Sequence, residues 1–159
     1  MNGLNKAFSF PLSEAVMAFT VIRTSWAEHE AALRQIRDTV FIQEQRVPEE
    51  MEWDGADADS VHFLALGDAG QPVGCIRLMP SGQLSRLSVL EQYRNQGIGK
   101  ALIIAAEEHA RAGDMDEIFL HAQTHATSFY EACGFSVTGG IFLEADIPHR
   151  QMFKELAQA

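Results

Sequence analysis

Residues 87–103 read LSVLEQYRNQGIGKALI. Apolar residues stop at Leu90, a polar run follows, two glycines bracket Ile98, and apolar residues then resume at helical spacing. A chain written this way ends a strand, turns, and starts a helix through glycine. The predicted helix, 97–112, carries Ile98, Leu102, Ala105 and His109 on one side. Ile103 and Ala106 widen that stripe, and Gly113 stops it. The first N–H groups of such a helix have no intrahelical partner, and the macrodipole adds about half a positive charge there. Gly97 and Gly99 let a ligand approach without a Cβ in the way, and Arg94 and Lys100 bring charge. A phosphate group suits this place. The familiar nucleotide motifs do not fit. A Walker loop needs four residues between its glycines and a hydroxyl after the lysine, but Ala101 follows Lys100. A GxGxxG turn needs a small residue where Leu102 stands. A plain glycine turn into a helix stays open as the alternative.

The rest of the chain surrounds this unit with strands. Ala18–Thr24 reads as a first strand on its β-branched content, and from Glu28 the residues Ala31, Ala32, Ile36, Val40 and Phe41 recur at helical intervals. Pro48 limits that helical region. The acidic stretch 49–59, EEMEWDGADAD, reads as a turn with most of its carboxylates in solvent. Strands are predicted at 60–66, 72–79, 83–90 and 117–122, a short helix at 124–132, and two weaker strands at Phe135–Thr138 and Met152–Leu156. Runs of strands mixed with helices predict a mixed α/β domain over 18–159, preceded by a loosely specified extension, 1–17.

Composition narrows the function. Twelve basic against twenty-two acidic side chains give a formal charge of −10, which argues against nucleic acid as a partner. No apolar run approaches the ~20 residues a membrane span requires, and the patch Ala15–Ile22 lacks a cleavage site. A cytoplasmic location is expected, with Cys75 and Cys133 as free thiols. No metal-ligand spacing is found among the histidines.

The strand ending in Val89-Leu90, followed by Arg94-Asn95-Gln96-Gly97-Ile98-Gly99-Lys100-Ala101, resembles the acetyl-CoA signature Q/R-x-x-G-x-G/A of GNAT N-acetyltransferases. QTHATSFYEACGF, residues 123–135, is similar to that family's second block, with Gln123 where asparagine is common. VFIQEQRVPEEMEWDGAD, HAQTHATSFYEACGF and FLEADIPHRQM resemble the bacterial ElaA/YjcF-like branch. The resemblance implies a GNAT-type fold: a central, mostly antiparallel sheet, flanked by helices and splayed open beside the Arg86–Leu90 strand.

It also implies acetyl-CoA as co-substrate. Its pyrophosphate would lie on the backbone of Gln96, Gly97, Gly99 and Lys100 near Arg94, and its pantetheine would pair with the main chain of Val89, with Gln123 close by. An N–H near Leu87 or Ser88 would hold the oxyanion, and Tyr130 would protonate the departing sulfur. Glu44 matches the branch's acidic position and is the first candidate for the base; His62 and His121 are alternatives, and a solvated helix carboxylate is the competing reading of Glu44. The implied acceptor is a primary amine on a small molecule, attacking directly in a ternary complex without metal. A non-catalytic CoA-binding module and a protein lysine or N-terminal acetyltransferase are the alternatives. Homodimers are frequent in the family.

Overall fold

A computed structural model describes residues 18–157; the extension expected over 1–17 lies outside the described residues. β1 (Phe19–Thr24) leads into α1 (Trp26–Arg37). The start of α1 is set by Ser25, whose hydroxyl oxygen accepts the Glu28 N–H at 3.2 Å, the arrangement that satisfies an orphan donor of the first turn. The helix then widens into a π-helical turn, Asp38–Glu44, and the Gln45 N–H reaches the Val40 carbonyl at 3.1 Å. A short helix α2 (Glu49–Glu52) follows within the acidic stretch.

β2 (Val61–Gly67), β3 (Pro72–Leu78) and β4 (Gln83–Val89) continue the sheet as antiparallel neighbours. After α3 (Ile98–Ala112) come β5 (Glu117–Gln123), α4 (Thr127–Ala132), β6 (Ser136–Glu144) and β7 (Ile147–Glu155). The strands lie in the order β1-β2-β3-β4-β5-β7-β6. Every pairing is antiparallel except β4 with β5, and those two strands register only at Gln83↔Phe119 and Leu84↔Leu120. Past Leu84 they part. The mixed α/β splayed sheet expected from the resemblance is the fold observed.

The two faces of the sheet are covered by different helices. Phe63, Ala65, Ile76 and Leu78 share a core with Ile98, Leu102, Ile103, Ala106 and Ala110 of α3. Leu64 and Cys75 point to the other face and pack with Leu33 and Ile36 of α1. This is the period-two alternation of a strand meeting the wider period of a helix on each side. At Gly74 α3 packs tightly against the sheet. A Cβ there would lie 2.9 Å from the Ser88 carbonyl oxygen, 3.3 Å from Leu102 Cδ1 and 3.4 Å from Ile98 Cγ2.

The C-terminal hairpin is much longer than the two short strands predicted. β6 and β7 run nine residues each. Gly139, Gly140 and Pro148 weaken the strand signal, and the turn residues Ala145 and Asp146 take φ of 52° and 61° without the usual glycine.

Gly74→Ala forces a methyl group against backbone and lowers stability by about 1–3 kcal/mol. Gly140→Ala, where nothing lies within 4 Å of a new Cβ, costs less; urea unfolding of the two variants checks the difference.

Candidate active site

The wedge between β4 and β5 opens into a cavity of about 260 Å³. Leu84, Ser85, Arg86 and Leu87 line it from β4, and Leu120, His121 and Gln123 from β5. Phe41 and Gln45 reach it from the π-helical turn and the residue after it, Met51 and Glu52 from α2, Tyr130 from α4, and Glu144 and His149 from the hairpin. The widened turn of α1 is therefore part of the cavity wall, a common use of a π-bulge.

β4 carries a bulge at this point. Cys75 pairs with Ser88 but Arg77 pairs with Ser85, so Arg86 and Leu87 together oppose Ile76. Arg86 sits at φ 60°, a left-handed position that is costly for a residue with a Cβ. Its side chain explains how the strain is held. Arg86 Nη2 donates to the carbonyls of Met51 (3.3 Å) and Glu52 (3.1 Å) and to Asp54 Oδ2 (3.1 Å), and Nε lies 3.1 Å from Glu52 Oε1.

That contact belongs to a larger network: most carboxylates of the acidic stretch are in solvent as expected, but Glu52 and Asp57 are not. Glu52 and Asp57 are buried, as are Arg37 and Arg77. Arg37 Nε donates to Glu52 Oε2 at 2.7 Å and Nη1 to Asp57 Oδ1 at 2.6 Å. Arg77 Nη1 also reaches Asp57 Oδ1, at 3.1 Å, and Nη2 reaches Asp54 Oδ2 at 2.9 Å. Three guanidinium groups meet three carboxylates, so the charges balance. Arg77 and Arg86 are thus partnered internally. Trp26 and Trp53, with ring centroids 6.4 Å apart, close the network from outside. The guanidinium carbons of Arg34 and Arg37 lie 4.7 and 5.0 Å from the Trp53 ring.

Burial alone would raise the Asp57 carboxyl, but the hydrogen bond and charge of Arg37, joined by Arg77, hold it below the ordinary carboxylate range. Asp54 behaves alike: burial opposes ionisation, and Arg77 with the Ala56 N–H and Arg86 reverses it. His62 belongs to this network rather than to the cavity. It is buried, its Nε2 donates to the Asp57 carbonyl at 3.0 Å, and burial lowers its pKa.

Several predicted site residues do meet in the cavity: Leu87, Gln123 and Tyr130 line it, as does the alternative base His121. Gln123 Nε2 donates to Gln45 Oε1 and its own Oε1 accepts from His125 Nε2, both at 2.8 Å. The Tyr130 ring packs between Phe129 and Phe135, with centroids at 5.1 and 6.1 Å. Burial, with a smaller effect from Cys133, raises the pKa of its phenol, which keeps the proton on. At Cys133 burial raises the thiol and outweighs the opposing pull of Lys100 and Lys154. Cys75, fully buried, is pushed up to about 11 by the same cause.

The remaining predicted residues are outside the cavity lining, most of them at the end of β4 and the start of α3, where a Cβ at Gly99 would stand 4.0 Å from Val89 Cγ2. The α3 N-terminus has no side-chain cap, and Gly97 takes φ 85° with nothing within 4 Å of a Cβ position. Asn95 is also left-handed, at φ 66°. Such turns direct backbone N–H groups into anion-binding concavities. Arg94 does not reach outward. Its Nε donates to the Val89 carbonyl at 2.8 Å, and its two Nη atoms grip Glu44 at 2.9 and 2.8 Å. Further main-chain pairing at the Val89 carbonyl would use the oxygen's second lone pair. The Arg94 hydrogen bond lowers the Glu44 carboxyl, the wrong direction for a proton acceptor, and Glu44 is not among the residues lining the cavity.

Comparison with known proteins places this geometry. The sequence profile of the family described as "Acetyltransferase (GNAT) domain" matches residues 25–156. The uncharacterized N-acetyltransferase YjcF of Bacillus subtilis is 37% identical over 136 residues, which cover 81% of this chain and 96% of YjcF. An acyl-CoA N-acyltransferase from Pseudomonas aeruginosa superposes with a TM-score of 0.77 at 31% identity, covering 86% of this chain and 99% of its own. Escherichia coli ElaA superposes with a TM-score of 0.76 at 28% identity, with coverage of 86% and 99%.

Because the folded-state carboxyls of Asp54 and Asp57 are depressed, their stabilisation is complete above the unfolded value near 3.9 and is lost as pH falls below it. Asp57→Asn leaves two arginines short of a partner and costs about 3–5 kcal/mol at pH 7. Its stability also falls less steeply than that of the unmodified protein between pH 5 and pH 2, as denaturant titrations at several pH values would read.

Proposed function

The chain belongs to the GNAT acetyltransferase family, and from that premise we propose that it transfers an acetyl group from acetyl-CoA to a primary amine of a small molecule, by direct attack in a ternary complex. The observation that carries the reading is the cavity where β4 and β5 part, with Tyr130 in its wall, and the N-terminus of α3, which has no side-chain cap, close against Val89 at the end of β4. A cavity of about 260 Å³ suits the acyl end and a small acceptor better than the surface of a folded protein.

Acetyl-CoA supplies an activated thioester when bound. Residues of this chain do the rest. The N–H groups at Gly97, Gly99 and Lys100 take the pyrophosphate, helped by the dipole of α3. The β4 bulge turns the backbone around Leu87 out of the regular ladder, freeing a donor for the developing oxyanion; such a donor is worth about 3 kcal/mol. Tyr130, kept protonated by burial, donates to the thiolate. Arg94 ties Glu44 to the Val89 carbonyl, and we assign Glu44 the part of fixing that loop. The arginine–carboxylate network fixes α2 and the bulge against each other on one wall of the cavity.

Calorimetric titration with acetyl-CoA tests the reading directly. The unmodified protein binds, and Gly99→Glu does not. A Cβ at Gly99 would be 3.5 Å from Phe129 Cζ, an ordinary contact, and glutamate in the first turn favours a helix. Loss of binding therefore reports the blocked phosphate site and not a lost fold. Tyr130→Phe keeps its affinity for acetyl-CoA while kcat falls about 100-fold or more; an unchanged kcat removes the acid role. Absence of binding in the unmodified protein removes the acyl-transfer reading altogether.

A further inference from the structure

An alkylammonium ion must lose a proton before its nitrogen can attack, and Glu44 is engaged elsewhere. His121 stands in the cavity wall on β5, and its Nδ1 lies 2.9 Å from Glu144 Oε1 at the end of β6. A carboxylate only accepts, so Nδ1 carries the hydrogen and the lone pair of the neutral ring is on Nε2. No described residue bonds to that Nε2. The ring is held in place by Phe142, edge-on at 5.0 Å, and by Phe119 at 6.4 Å. About a quarter of the side chain is exposed, which leaves a route for a proton to solvent.

The other charged and titratable groups around the cavity are differently placed. Glu52 and Arg86 neutralise each other at 3.1 Å on one wall of the cavity. His125 is bonded to Gln123. His149, the remaining imidazole, is buried, stacks on Phe142 at 5.9 Å and gives its Nδ1 hydrogen to the Ile147 carbonyl at 2.7 Å. A positive charge on His149 would face a neutral partner, whereas one on His121 would face a carboxylate.

Building on the acyl-transfer reading above, we propose that His121 is the proton acceptor for the incoming amine and that Glu144 is the residue that positions it. Nε2 takes one proton from the ammonium. The freed nitrogen forms the C–N bond to the thioester carbon, and the C–S bond breaks with its electron pair leaving on sulfur. The second proton lost by the nitrogen balances the one that Tyr130 gives to sulfur. The proton on His121 passes to solvent, and the neutral ring is restored.

The test follows acetyl transfer from acetyl-CoA to two nucleophiles, benzylamine and hydroxylamine, between pH 5.5 and pH 9. Benzylamine is protonated at neutral pH and hydroxylamine is not. Acetyl-CoA affinity and near-UV circular dichroism are measured on every variant. His121→Gln lowers kcat/KM for benzylamine by about 100-fold or more, abolishes the acid limb of its pH profile, and leaves acetyl-CoA affinity unchanged. Hydroxylamine transfer changes far less. Glu144→Ala lowers the benzylamine rate by a smaller factor, and Glu144→Gln, which keeps an accepting oxygen, recovers part of it. Equal losses for both nucleophiles, an unaltered benzylamine rate, or loss of the acid limb in His149→Gln but not in His121→Gln overturns the assignment. So does tight acetyl-CoA binding with neither nucleophile acetylated by the unmodified protein. Failure of acetyl-CoA to bind is separate: it sinks the acyl-transfer reading on which the assignment rests.

Discussion

Two residues of ladder hold β4 to β5, and then nothing does. A parallel pair that registers only at Gln83↔Phe119 and Leu84↔Leu120 lets the two strands part along the cavity. The strands can diverge because each has a stronger attachment on its far side. β4 is bonded to β3 through the bulge, and β5 is bonded to β7 along its whole length, Glu117↔Glu155 to Gln123↔His149. The wedge is thus a seam between two well-made half-sheets. Side chains fill it from α1, α2, α4 and the hairpin, and those side chains determine its chemistry.

The buried ion network is the counterpart of that opening. Arg86 occupies a backbone conformation it would not choose, and α2 is too short to be stable alone. Arg37 from α1 and Arg77 from β3 bind the same carboxylates that hold Arg86. Bulge, acidic stretch and helix therefore fix one another. A network of this kind adds little net stability compared with well-packed apolar groups. What it provides is placement: Met51, Glu52 and Arg86 are held on one wall of the cavity without any of them relying on local propensity.

Elements with a strong local pattern could be read from the sequence within a residue or two. α3 is an apolar stripe between two glycines, and β2 to β4 are short apolar-rich runs bounded by turn residues. The glycine-entered helix and the Tyr130 block were legible for the same reason, being short and contiguous. In the acidic stretch the exposed majority of carboxylates is legible, but the burial of Glu52 and Asp57 is not, because it needs Arg37, Arg77 and Arg86 brought from three other elements. From sequence the hairpin looks short because Gly139, Gly140 and Pro148 break the pattern, while its turn uses Ala145-Asp146 in left-handed conformations that neither residue advertises. Glu44 was read from its motif position alone. Its partner Arg94 lies fifty residues on, and only the fold reveals that the two are clasped. The pairing of His121 with Glu144 spans the width of β7, so no spacing rule would have found it.

The chain has two tryptophans, and both lie on the outer face of the ion network. Trp53 directly follows Glu52, a residue of the cavity wall, and both indoles are stacked against arginines. Their emission is therefore governed by the same contacts that fix the position of α2. The molecule carries a built-in optical gauge beside one wall of its cavity, free of background from any other indole, and a shift of α2 changes the light the protein emits.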